Sequence, residues 1–269
     1  MRIIVLVDNH THSDLSAQHG LSIYVETQKH RILIDCGQDD TFIKNAELLG
    51  IDLKLVDICI ITHGHYDHGG GLPYFMEINK TADIYIQEQA KQAFYSGRND
   101  GYHYMGLPKT ILHSSRITWL SSNFTIDDGM MIIQNTCHLY PEPVLNSSLM
   151  VEHQNGLEKD SFNHEQSVII KDKETVLFGG CAHQGILNIL SCAKKIAPDI
   201  AYVFSGFHLS SNSRGVLEND ETMHQLMECL KKEPIAFYTG HCTGEKCFED
   251  LEKACPNVHG FYCGFTLEI

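Results

Sequence analysis

The sequence predicts a mixed fold of the α/β (α+β) class, a four-layer αββα sandwich, on three observations. Two βα series follow one another along the 269 residues, each with its own strands and amphipathic helices. No linker, low-complexity stretch or short-period repeat separates them, so a single domain over 1–269 is expected. Residues that suit metal ligation also recur where predicted strands end.

The first series opens with Met1 to Asp8, whose apolar run is too short for a signal peptide and reads as a strand. A polar loop containing Asn9 follows, and Gly20 to Glu26 then alternates like a half-buried strand with Arg31 to Asp35 as its hairpin partner. Asp40 to Leu49 carries apolar residues at helical spacing, and Leu55 to Ile61 reads as a buried strand. This βαβ order predicts parallel strands, with ligands gathering at their open ends. Ala82 to Phe94 reads as a strand and a helix. Tyr95 to His113 shows no steady period and reads as a long loop, a lid or a mobile surface segment, carrying Arg98, Tyr102, His103, Tyr104 and Lys109.

Strands return at Arg116 to Leu120, Met130 to Asn135 and Leu149 to Glu152. Ser167 to Ile170 and Thr175 to Phe178 form a hairpin. From Ile186 the pattern runs helix, strand (Ile200 to Phe204), helix (Glu218 to Leu230), strand (Ile235 to Tyr238) and helix (Gly244 to Ala254).

Composition narrows the function classes. Hydrophobic content of 43% and charged content of 20% are those of a globular protein with a core. A formal charge of -14 argues against a surface built for a phosphate backbone, so no nucleic-acid partner is expected. No segment is long enough to span a bilayer, and no membrane partner is expected. The ten cysteines form no CxxC pairs, and Cys59, Cys192 and Cys229 sit in apolar stretches where a free thiol packs as a small hydrophobe; a cytoplasmic location follows as an expectation.

The chemistry concentrates in Thr62-His63-Gly64-His65-Tyr66-Asp67-His68, three imidazoles and one carboxylate within six positions at a strand end. Imidazole nitrogen and carboxylate oxygen are ligands for zinc and similar cations, and His63 and His65 can share one ion while Asp67 and His68 face a second. Gly69, Gly70 and Gly71 let the backbone pass close by before a helix near Leu72. Two ions need further donors. His164 lies just before a strand, with His138 and His153 as alternatives; Cys181 lies just after one; His241 lies between a strand and a helix. Cys181 reads either as a thiolate ligand, which favours zinc, or as a residue lining the pocket, with His183 taking part.

The HxHxDH pattern after a hydrophobic strand resembles the signature of the metallo-β-lactamase superfamily, whose fold is an αββα sandwich with metals at one edge. That resemblance implies that His164 completes the His63/His65 site and His241 the Asp67/His68 site. Cys181 stands where many members carry a bridging aspartate, a departure that leaves the bridge open. Asp35 matches the superfamily's aspartate before the metal loop, and reads as a carboxylate orienting a ligand or as a turn residue. Asp8-Asn9, His19 to Ser22, the metal loop, His164 to Gln166, Gly180 to Ile186, Gly206 to Leu209 and His241 to Gly244 together resemble a prokaryotic branch, the dihydropterin-methyl-ribofuranosylaminobenzene phosphate synthases, over most of the chain. The superfamily's redox branch carries Glu where His65 stands here, which argues against oxygen chemistry.

Two divalent cations, zinc ahead of manganese or iron, would generate a metal-bound hydroxide near neutral pH, so the leading expectation is a hydrolase acting on a small phosphorylated substrate. Asp67 can ligate and take a proton, and His208 can donate to substrate or leaving group, or be structural. His183 and Thr243 each stand just before a helix start, where backbone N–H groups suit an anion, and Asn9 belongs with them as a substrate contact. The branch resemblance implies a transferase in which the ions activate a diphosphate leaving group; a non-catalytic sensor is the remaining class.

Overall fold

Alternation of apolar residues along the strands, joined by amphipathic helices, yields two compact units, described separately here in a computed structural model covering residues 1–211 and 214–269. The first comprises Met1–Tyr95, Tyr104–Ser121 and Tyr262–Ile269, and the second Ser96–His103 and Ser122–Phe261. Each is built on a seven-stranded mixed sheet with its own helices, and together they supply the two α and two β layers of the αββα class.

In the first unit the strands lie in the order Thr266–Glu268, Arg2–Val7, Ser22–Glu26, Arg31–Ile34, Ile58–Ile61, Asp83–Gln87 and Ile117–Leu120. Pairing is antiparallel up to Arg31–Ile34 and parallel from there on, as the βαβ reading required. Alternate residues Leu33, Cys59, Ile61, Ile84 and Ile86 pack against Phe42 and Ala46 of the Thr41–Leu48 helix and Leu72 and Phe75 of the Leu72–Ile78 helix. The intervening residues Ile32, Ile34, Ile58 and Ile60 are equally buried, so both faces of this sheet are covered.

The second unit repeats the plan. Its order is Val258–Gly260, Ala236–Thr239, Ile200–Phe204, Thr175–Phe178, Gln166–Lys171, Met130–Gln134 and Phe124–Asp127. The first four run parallel and the rest antiparallel. Helices Ile186–Lys194, Asp220–Leu230 and Glu245–Ala254 contribute Ile189, Leu226 and Leu251 to the core. Because Gln166–Lys171 runs antiparallel to Thr175–Phe178, the residues entering it lie at the same sheet end as those leaving the parallel strands. His164, Cys181, His208 and His241 therefore share one end of this sheet.

Several sequence-based expectations need correction. Tyr95 to His113 is not a loop throughout: Phe94–Arg98 and Gly101–Tyr104 pair in a four-stranded sheet with Leu149–His153 and Gly156–Lys159, and residues 109–113 run in turns. Gly97 and Gly101 interrupt its apolar alternation, and most of its side chains are partly exposed, which hides the period. The helix expected after Asp83–Gln87 is a single 3-10 turn, Glu88–Lys91. Cys192 is not a free thiol but is disulfide-bonded to Cys137, with 5.6 Å between Cα atoms. Fifty-five residues separate the two, so folding and not local spacing brings them together. Among the described residues no helix is long and apolar enough to cross a membrane.

The glycine run after the histidine motif is a steric requirement. A Cβ on Gly71 would lie 2.1 Å from the Cys36 carbonyl oxygen and 2.7 Å from that of Asp39, and one on Gly70 2.4 Å from the Gln38 and Tyr66 carbonyl oxygens. The 36–39 turn is bonded to this segment through Cys36 N–H to His68 O at 2.7 Å and Gly71 N–H to Gly37 O at 3.0 Å. Gly71→Ala should therefore lower unfolding free energy by about 3 kcal/mol or more, since backbone cannot yield as a side-chain tip does. Denaturant unfolding of the purified variant measures it.

Candidate metal centre

In the first unit the Ile58–Ile61 strand ends at Thr62, and the motif turns through one helical turn, Tyr66–Gly69. His63, His65 and His68 are at most 2% exposed and Asp67 6%. The His63 ring lies 4.5 Å from that of His65 and 4.1 Å from that of His68, centroid to centroid. Phe94 packs edge-on against His65 at 5.7 Å.

A single buried carboxylate orders this cluster. Asp35 accepts from Thr62 N–H at 2.7 Å and Thr62 Oγ1–H at 2.8 Å, and takes His68 Nδ1–H at 2.6 Å. Because the Thr62 hydroxyl donates to Asp35, its oxygen accepts from His63 Nδ1, 3.0 Å away. With Nδ1 engaged on both rings, Nε2 is the nitrogen that presents a lone pair to a cation. Buried imidazoles with a carboxylate at hand fit a zinc-like ion by donor type.

Asp67 also meets His19, whose Nε2 lies 3.2 Å from its Oδ2; His68 Nε2 lies 3.9 Å from the same oxygen. Desolvation pulls the His19 pKa down, but the hydrogen bond and charge of Asp67 outweigh it, and the pKa is raised above the ordinary histidine value. Asn9 sits in the adjoining loop. Its Oδ1 accepts Gly20 N–H at 3.3 Å, and Leu21 N–H next along bonds the Asp67 carbonyl at 3.1 Å.

In the second unit His164 is buried, whereas His138 and His153 are exposed, so burial separates the three candidates. His164 Nε2 lies 3.0 Å from Asp160 Oδ2, a carboxylate-histidine pair. Cys181, His183 and His241 are all buried. The His183 ring stacks on Phe162 at 4.5 Å, sits 4.2 Å from the His208 ring, and places Nδ1 3.3 Å from Asn146 Oδ1. His208 N–H points to Cys242 Sγ at 3.3 Å.

Backbone donors just before the two helix starts are already engaged. Glu165 accepts His183 N–H at 2.7 Å and Gln184 N–H at 3.0 Å, so these donors serve a buried carboxylate. Burial pushes the Glu165 pKa up, outweighing the downward pull of the two N–H groups. The Thr243 hydroxyl accepts Phe207 N–H at 3.0 Å and meets Thr239 Oγ1 at 2.5 Å, while Thr243 N–H bonds the Gly240 carbonyl at 2.9 Å. Glu165 and Asp160 were missed by the sequence reading; an acidic residue beside or one turn before a buried histidine is the signal that could have found them. Glu165→Gln keeps one acceptor oxygen and sets an NH2 group against the other N–H. The expected loss is about 1–3 kcal/mol, read by thermal or denaturant unfolding.

Backbone strain marks the same places. Among the described residues, the non-glycine residues with positive φ are Asp35 (59°), Phe162 (52°), Ala182 (55°), His208 (51°) and His241 (50°). Each is one of these functional candidates or lies within two residues of one. Such conformations persist where the surroundings over-determine them, as at functional sites.

Comparison with known proteins agrees with this architecture. The metallo-beta-lactamase superfamily model matches residues 16–151. An uncharacterized protein of Methanocaldococcus jannaschii is 28% identical over 96% of this chain and 96% of its own length. The 7,8-dihydropterin-6-methyl-4-(beta-D-ribofuranosyl)-aminobenzene-5'-phosphate synthase of the same organism is 27% identical, covering 96% of this chain and 94% of its own. A crystal structure described as a metal-dependent hydrolase of the beta-lactamase superfamily superposes with a TM-score of 0.84 at 28% identity, covering 100% of this chain and 99% of that one.

Proposed function

Because this chain belongs to the metallo-beta-lactamase superfamily, we propose that it is a hydrolase using two divalent cations, zinc ahead of manganese or iron, on a small phosphorylated substrate. On this reading the two units are halves of one domain over 1–269, and both supply donors. His63, His65 and His164 hold one ion, and Asp67, His68 and His241 the other, with Cys181 adding a thiolate. Bound cations would supply Lewis acidity and lower the pKa of water toward about 7.

The observation that carries the reading is the Asp35 network. One buried carboxylate fixes His68 directly and His63 through Thr62, committing Nδ1 and turning Nε2 outward on both rings. A core needing only packed histidines has no use for such tautomer control. The superfamily hydrolase with a TM-score of 0.84 supports the reaction class.

The chain's own groups then divide the work. Asp67 takes the proton released from the attacking water, and His19, bonded to it at 3.2 Å, passes that proton toward solvent from a partly exposed position. His208 donates to the substrate's anionic oxygens or to the leaving group. His183, its ring clamped by Phe162 and Asn146, offers a second contact. Asn9 borders the Asp67 side of the substrate. Glu165 positions the Cys181-Ala182-His183 turn, and Thr243 the Phe207-His208 turn. A formal charge of -14 leaves the surface poorly suited to a polyanion, which favours a small substrate.

A second reading, group transfer from a diphosphate, is favoured by the synthase relative that aligns with 96% of this chain. Turnover in labelled water separates the two. Hydrolysis places solvent oxygen in the product; product formed without it would overturn the hydrolase reading in favour of transfer.

A further inference from the structure

Within the second unit, Cys181, already a candidate ligand, also belongs to a further group of donors. The Cys181 Sγ, one His208 ring nitrogen and the Cys242 Sγ all lie within 4.8 Å of one another. Cys181 and Cys242 are buried, and His208 is half-buried. They come from three loops that leave successive parallel strands, Thr175–Phe178, Ile200–Phe204 and Ala236–Thr239.

Two features show that the loops are shaped around the sulfurs. A Cβ on Gly206 would meet Cys242 Sγ at 2.5 Å and the Cys181 Cα at 3.6 Å, so the missing side chain is the space the thiol occupies. His208 N–H is directed at Cys242 Sγ at 3.3 Å, a contact that stabilises a thiolate. His208 itself is held at φ 51°, and Ala182, beside Cys181, at 55°. A strained backbone aimed at two thiols is more than apolar packing of cysteine requires.

We propose that Cys181, His208 and Cys242 form a thiolate-rich site for a soft d10 cation, zinc or monovalent copper, in addition to the hydrolytic pair. Metal–sulfur bonds of about 2.3 Å put two thiolates about 4.0 Å apart in a trigonal site and about 4.6 Å apart in a linear one, within the span observed. Each thiol gives its proton to solvent as it binds. Thiolate and imidazole donors select zinc and copper over magnesium or calcium. A thiolate keeps lone pairs after binding one cation, so Cys181 can contact the hydrolytic pair without leaving this site, and His208, bound through one ring nitrogen, keeps the N–H of the other for the substrate.

The test uses the full chain, stripped with chelator under reducing conditions and titrated with Co2+ alone. Sulfur-to-cobalt charge transfer in the near ultraviolet should appear, fall by about half in Cys242→Ser, and survive in a His63→Ala/His65→Ala/Asp67→Ala variant. Zinc content should fall by one ion per chain in Cys242→Ser. His208→Asn, which keeps a residue tolerant of positive φ, should weaken Co2+ binding more than about tenfold. Competition against a monovalent-copper chelator separates copper from zinc as the preferred ion. A Cys242→Ser variant that matches the unaltered protein in spectrum and stoichiometry overturns the site. Binding at this site with none at the motif histidines would instead overturn the hydrolytic reading and leave this one standing.

Discussion

Asp67→Ala should abolish turnover and reduce metal content toward one ion per chain. The carboxylate carries two tasks in the proposed site, ligating an ion and accepting the proton of the attacking water. Loss of proton transfer alone costs about 10²- to 10⁴-fold in rate, and an ion missing from the pair adds to that. His19 loses its partner in the same variant, since its Nε2 lies 3.2 Å from Asp67 Oδ2. Metal analysis of the purified variant beside rates at saturating substrate measures both effects. A variant that keeps two ions per chain would remove Asp67 from the ligand set.

Asp35 carries the next largest expectation, although it touches no substrate. Asp35→Ala strands three buried donors, Thr62 N–H, Thr62 Oγ1–H and His68 Nδ1–H, and places alanine at a φ of 59°. Unsatisfied buried donors cost about 1–3 kcal/mol each, so an overall loss of about 3–5 kcal/mol is expected. Asp35→Asn is the finer probe, because asparagine tolerates the backbone conformation and keeps one acceptor oxygen. It should fold and bind metal about 10- to 100-fold more weakly. Titration with zinc against a chromophoric chelator gives that number, and unchanged affinity would mean that the network serves folding alone.

Much of this was readable before folding was considered, for reasons that differ from residue to residue. His63, His65, Asp67 and His68 are contiguous in sequence and follow an apolar strand, so one short segment shows both the donors and their placement. The parallel pairing of Arg31–Ile34 with Ile58–Ile61 follows from a short helix between two buried strands. Glu165 stands beside His164 in sequence, but what it holds was hidden, because its partners are backbone N–H groups 18 and 19 residues away, which no side-chain pattern records. Asp160 lies four residues from His164, and only the turn around Phe162 at a φ of 52° brings them together. The Cys137–Cys192 bond joins the segment after one strand to a helix, and the Phe94–Arg98 hairpin arm hides behind glycine and partly exposed side chains.

The five non-glycine residues with positive φ among the described residues bear on how this protein could be engineered. A library aimed at heat resistance would ordinarily replace such positions with glycine or asparagine and harvest the relief. On the proposed reading they aim the imidazoles and thiols, so the very changes that a stability screen rewards are expected to weaken metal binding. Selections for endurance should therefore hold Asp35, Phe162, Ala182, His208 and His241 fixed and draw their gains from the helix surfaces.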